Sequence, residues 1–279
     1  MNNFLQRLTM SGILSTVLLV VIYFSNQAHF EPVFFLLTTV VISGALWEYY
    51  QISKVSGCNP VTSIGIVGSI IYLYMVYLAM SNPFLEEWPL ITLALLLFTA
   101  FLYYFFSGVS PFPNLAVTIF GVVYITIPLS AFIPIDLFYG RYWMFYLLIV
   151  TKMTDVGAYF VGKQLGRHQL APQISPKKTW EGAVAGFLTG VLASYALHKV
   201  AKVWLDAELF TSSLQSLWFG ALMSIAAQLG DLSESLLKRA SGMKDSNRLP
   251  GLGGLLDMVD SLVFTTPLLY FFLKLFWRS

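Results

Sequence analysis

The chain has 279 residues, of which 57% are hydrophobic and 11% charged, with a net charge of +2. A soluble domain carries roughly 25% charged residues, so the composition excludes one and points to a membrane protein. The low net charge, with basic residues set beside apolar runs, speaks against nucleic-acid binding. The single cysteine, Cys58, excludes an internal disulfide framework.

Apolar runs long enough to cross ~30 Å of hydrocarbon fall at 10–28, 32–50, 61–80, 88–106, 115–135, 142–162, 182–200, 213–230 and 256–275. They predict an all-α, polytopic integral membrane protein with about nine transmembrane helices. A lipid-exposed backbone must satisfy its own hydrogen bonds, and the runs lack the alternation of barrel strands. The first run has no small-residue cleavage site and others follow it closely, so it reads as a span and not a signal peptide. "WEYY" at 47–50 and "RYW" at 141–143 place amphipathic rings at span ends, and His29 and His198 read as interfacial residues.

With the N-terminus inside, Arg7, Lys54, Lys163, Arg167, Lys177, Lys178, Lys238, Arg239, Lys244 and Arg248 face the cytoplasm. Five basic residues remain outside, so the positive-inside rule favours this orientation. It puts the polar connections 163–181 and 231–255 on one side, where they can form one site. Charge concentrates after residue 140. The expected organisation is an N-terminal scaffold over 1–140 and a working half over 141–279, in an inner or cytoplasmic membrane with the site facing the cytoplasm.

Within the working half, "QLGDLSESLLKR" sets Asp231, Ser235 and Lys238 on one helical face. Asp231 with Glu234 could be a simple capping pair, but an acid directly after an apolar run usually has a functional partner. In "LPGLGGLLDMVDS", a Pro/Gly turn opens a helix whose exposed N–H groups suit phosphate. Asp257 and Asp260 follow, three residues apart on one face. Acids favour a first helical turn in any case, yet two so close repel unless a cation lies nearby, and Mg²⁺ with substrate phosphates in its shell would relieve them. A third segment runs from Asp155 in "TDVGAY" through Lys163, Arg167, Lys177 and Lys178 to Glu181. Ser175-Pro176 reads as a helix start. A basic loop can simply bind anionic lipid, but beside acids and a glycine turn it also suits a polyphosphate. His168 has no second histidine at ligand spacing, which discounts zinc.

"SLLKRASGMKDSNRLPGLGGLLDMVDS" (235–261) resembles the signature of the CDP-diacylglycerol synthases, the phosphatidate cytidylyltransferases, and "SPKKTWEG" and "D-x-G-A-Y" upstream are similar to that family too. Leu252 stands where the family usually has histidine and Met258 where it has arginine. The resemblance implies transfer of a cytidylyl group from CTP to phosphatidic acid, giving CDP-diacylglycerol and pyrophosphate in phospholipid biosynthesis, with membrane lipid as surroundings. Joined to the residues, it implies Asp231, Asp257, Asp260 and Asp155 as metal ligands for Mg²⁺, with room for a second cation. Lys238, Lys244, Asp245 and Arg239 would be catalytic, and Ser175, Lys177, Lys178, Thr179, Ser235, Gly253 and Gly254 would contact substrate. The sequence leaves room for a homodimer. Two other classes fit parts of the pattern: an ion-coupled secondary transporter using the intramembrane acids, and a CTP-dependent lipid kinase.

Overall fold

A computed structural model describes residues 20–25, 30–204, 207–242 and 254–277. Its long helices are α1 (Glu31–Val55), α2 (Thr62–Ser81), α3 (Trp88–Ser107), α4 (Pro111–Tyr139), α5 (Arg141–Leu165), α6 (Trp180–Trp204), α7 (Ser213–Ala240) and α8 (Leu255–Phe276). Helix α4 is continuous in course but widens into π turns at Val122–Thr126 and Ile135–Tyr139. Prolines near the first turns of α1, α3 and α4 suit their starts, and Gly108 (φ 66°) and Gly140 (φ 81°) turn the chain after α3 and α4.

Among the described residues, seven helices are long and apolar enough to cross a membrane: α1 to α6 and α8. Large apolar side chains on them, such as Phe98, Phe105, Val184 and Leu192, are exposed as lipid-facing surface requires. Helix α7, the expected span 213–230, falls outside this set because serines and glutamines interrupt its apolar run. The expected span 10–28 lies mostly outside the described residues, although 20–24 are helical.

Three sequence expectations need correction. The polar connection placed at 231–255 begins as helix, since α7 continues to Ala240. Ser175-Pro176 does not start a helix: the 163–181 connection folds into an antiparallel hairpin of β1 (Gln169–Ala171) and β2 (Ser175–Thr179), and α6 begins at Trp180. A two-stranded hairpin has free edges where Pro176 is tolerated. His198 is buried, with its ring against Phe210, and not interfacial.

The helix ends remote from the hairpin are closed by an aromatic cluster. Trp143 and Tyr146 of α5, Phe210, Phe219 of α7 and Phe272 of α8 meet there, Phe219 and Phe272 stacking with centroids 4.0 Å apart. Helix α8 also packs on α1 and α4, so the two expected halves share one interior.

Close packing of α5 on α6 depends on small residues. Gly182, Gly186 and Gly190 repeat every fourth position of α6, and a Cβ on Gly186 would sit 2.7 Å from the Thr154 carbonyl oxygen. Without water to drive association, such small-residue stripes let helix backbones approach. Gly186→Leu should therefore destabilise the purified protein by about 1–3 kcal/mol, read as a lowered Tm in detergent. An unchanged Tm would refute the tight α5–α6 seam.

Candidate active site

Three acids converge from three helices: Asp155 on α5, Asp231 on α7 and Asp260 on α8. Gly230 makes this possible. A side chain there would collide with the Asp260 carbonyl, so glycine lets α8 cross α7 directly beside Asp231. Asp260 is buried and lies in the electrostatic field of both Asp231 and Asp155. Ser261 links two of the acids: its Oγ lies 3.2 Å from Asp155 Oδ2 and 3.0 Å from Asp260 Oδ1, and its amide donates to Asp260 Oδ1 at 2.5 Å. Two lysines offset the charge. Lys178 Nζ stands 2.8 Å from Asp231 Oδ2 and Lys152 Nζ 3.6 Å from Asp155 Oδ2.

Asp155 and Asp231 form one wall of a cavity of about 650 Å³ between α5, the hairpin, α6 and α7. Lys163, Lys177 and Lys178 line the same space, with Thr179 beside them. This volume falls in the range of small-molecule sites. Its base is narrow because Gly162 and Gly182 bring two backbones together, a Cβ on Gly162 reaching 3.4 Å from Gly182 Cα. Thr179 Oγ1 accepts from the Gly182 amide at 3.2 Å and so fixes the end of β2 on α6. Although close to Asp231, Lys178 Nζ is buried with no aligned hydrogen bond, so the contact is purely ionic. Arg239 Nε donates to the Ile174 carbonyl at 2.9 Å and ties α7 to the hairpin. Glu181, which accepts from the amides of Arg167 and His168 and contacts His168 Nδ1 at 2.6 Å, secures the other side. Ser175 and Ser235 are half-buried outside the cavity wall.

The remaining expected residues gather elsewhere. Lys238 is buried on α7 between Glu234, 2.5 Å away, and Asp257 of α8. Asp257 thus faces this lysine, while Asp260 faces the other acids. The amide of Gly254, expected to meet phosphate, donates to Glu48 Oε1 at 2.9 Å. Leu255 N reaches the same oxygen at 3.0 Å, and Leu256 N reaches Oε2 at 2.9 Å. Glu48, buried on α1, is therefore the cap of α8, so the start of this helix serves an internal carboxylate. Lys244, Asp245 and Gly253 lie outside the described residues.

Sequence reasoning missed Glu48 and the burial of Glu234. The available signal for Glu48 was an acid inside an apolar run, the same cue that singled out Asp231. Among the described residues, no three His, Cys, Asp or Glu side chains are close enough to grip a metal unaided. The acids that face one another, Asp155, Asp231 and Asp260, offer hard carboxylate oxygens, the donor type that fits Mg²⁺, an ion that keeps waters and substrate phosphates among its ligands.

A family model described as "Cytidylyltransferase family" matches residues 5–276. The chain is 32% identical over 274 residues to the phosphatidate cytidylyltransferase of Bacillus subtilis, covering 96% of this chain and 97% of that protein. It is 28% identical over 281 residues to the phosphatidate cytidylyltransferase of Chlamydia pneumoniae, covering 96% and 91%. A third relative of the same name, from Thermotoga maritima, is 34% identical over 193 residues, covering 68% and 71%. With charged residues from α5, the hairpin and α7 meeting in one cavity and a match along nearly its whole length, the chain belongs to the cytidylyltransferase family.

Proposed function

We propose that this protein transfers the cytidylyl group of CTP to phosphatidic acid, forming CDP-diacylglycerol and pyrophosphate. The observation that carries the reading is the cavity in which Asp155 and Asp231 meet Lys163, Lys177 and Lys178, in a chain of this family. Its charge pattern suits a polyphosphate held together with a cation.

The chemistry needs little beyond placement and charge. A phosphate oxygen of the lipid attacks the α-phosphorus of CTP, and the bond from that phosphorus to the oxygen bridging toward the β-phosphate breaks. That oxygen leaves with the pyrophosphate. Phosphatidate is already anionic, so no strong base is required; the barrier is the approach of two polyanions. Lys163, Lys177 and Lys178 would neutralise the triphosphate and the charge that grows on the leaving group, while the small floor of the cavity fixes its alignment. Asp155, Asp231 and Asp260, with waters and substrate phosphate completing the shell, would hold Mg²⁺, which would supply positive charge to offset that of the phosphates. Asp257 and Lys238 would act from outside this cluster, their contact fastening α8 to α7. The excess of basic residues on the hairpin and the α7 end supports a site on the cytoplasmic side of an inner or cytoplasmic membrane, where a soluble nucleotide and a membrane lipid would both arrive.

Purified protein in detergent, given CTP, Mg²⁺ and phosphatidic acid, should release pyrophosphate. Release of CDP would mean phosphoryl transfer as in a kinase, and release of neither would sink the enzymatic reading. Asp231→Asn should lower the rate roughly 100-fold or more while keeping the wild-type Tm; a near-normal rate would remove Asp231 from the site.

Lys238 carries a different expectation. Burial and the neighbouring Asp257 push the pKa of the Glu234 carboxyl up to about 9, so Lys238→Met leaves it buried as a neutral acid that has lost its partner, a loss of about 1–3 kcal/mol that should appear as a drop in Tm. Adding Glu234→Gln should restore part of it. Equal Tm in the single variant and the wild type would show that the buried pair does not brace α7.

A further inference from the structure

Helix α5 presents two kinds of surface around Asp155. On one side the carboxylate opens into the 650 Å³ cavity with its three lysines. On the other stands Lys152, one turn earlier, outside the cavity wall, with 48% of its side chain exposed. Lys152 shares an exposed face of the helix with Ile149, Met153, Val156 and Phe160. An apolar exposed face on a membrane-crossing helix is the face that lipid covers.

A lysine on such a face is costly unless an anion answers it. Within the protein its ammonium contacts Asp155 Oδ2 at 3.6 Å and donates to the Met258 carbonyl at 3.3 Å. An ammonium carries three donors, and with one hydrogen bond to Met258 and 48% of its side chain exposed, Lys152 keeps capacity for a further acceptor. The acids it borders, Asp155 and Asp260, both feel its charge. The position joins three properties: it is reached from the acyl-chain side, it is cationic, and it adjoins the acid cluster.

We infer that Lys152 receives the phosphate of the phosphatidic acid, on the bilayer side of the acid cluster, while the lysines of the cavity hold the nucleotide. The inference rests on the proposed function and assigns the lipid's place within it. Phosphatidate bears a phosphate monoester whose dianion can accept from Lys152 and lie beside the acid cluster, where Mg²⁺ held by those acids would offset their repulsion. Its acyl chains then run along the Ile149, Met153 and Val156 face, and CTP enters from the hairpin side, so the two polyanions approach from opposite sides of Asp155.

The test compares wild type with Lys152→Met and Lys152→Arg in mixed micelles of varied phosphatidate content. Lys152→Met should raise the KM for phosphatidate about tenfold and leave the KM for CTP within about twofold, with Lys152→Arg close to wild type. A phosphatidate KM that does not change, or a CTP KM that rises equally, would overturn the inference. Binding provides a readout independent of turnover. Without CTP, phosphatidate but not phosphatidylcholine should raise the Tm of the wild type, and the rise should vanish in Lys152→Met. A rise of the same size in that variant would also overturn the inference. Absence of pyrophosphate release by the wild type would instead count against the proposed function.

Discussion

One buried carboxylate sets the position of the helix on which the site depends. Glu48 accepts the first three amides of α8 from across the protein, 206 to 208 residues away in sequence. Those amides lie next to apolar core, where each unmet N–H costs about 1–3 kcal/mol. The positive end of the helix dipole in turn stabilises the charge on Glu48. Because α8 is fixed at its first turn, Asp257 and Asp260, in its first and second turns, are fixed too. The so-called scaffold half is therefore part of the machinery: α1 decides where the acids of α8 stand.

Around that anchor, small residues set distance and charged residues set chemistry. Gly230 lets the α7 and α8 backbones meet at Asp231 and Asp260, and Gly162 with Gly182 does the same for α5 and α6 beneath the cavity. Ionic contacts then link the elements: Lys238, buried on α7, reaches the half-exposed Asp257 of α8, and Lys178 of the hairpin reaches Asp231 of α7. Such part-exposed pairs give little net stability, so they hold geometry more than they add energy. The polar end is balanced by the aromatic cluster of Trp143, Phe219 and Phe272 at the other end, which closes the bundle without any charge.

Much of this was legible in the residues. Acids adjoining apolar runs announced Asp155, Asp231 and Asp260, and the lysines of the 163–181 connection announced the opposite wall of the cavity. Three things were not legible, each for a physical reason. Glu48 acts on amides two hundred residues away, and no local pattern carries that pairing. Asp257 and Asp260 look equivalent by spacing, yet three residues leave them about 60° apart around the helix, enough to send one to Lys238 and the other to the acids. The hairpin was hidden because Ser-Pro is a helix-start signal, and only the return of the chain onto β1 makes a strand of it. The number of spans was read as nine; the described residues hold seven that meet the length and hydropathy of one, with α7 kept outside that set by the serines and glutamines in its apolar run.

The central claim is that the α-phosphorus of CTP moves to a lipid phosphate. CTP carrying phosphorus label at either the α or the γ position, incubated with the purified protein, Mg²⁺ and phosphatidic acid, separates this from every other use of the nucleotide. The account predicts that α label appears in the chloroform-soluble lipid while γ label stays in water-soluble pyrophosphate. Label from the γ position in the lipid, or no α label there, would contradict it.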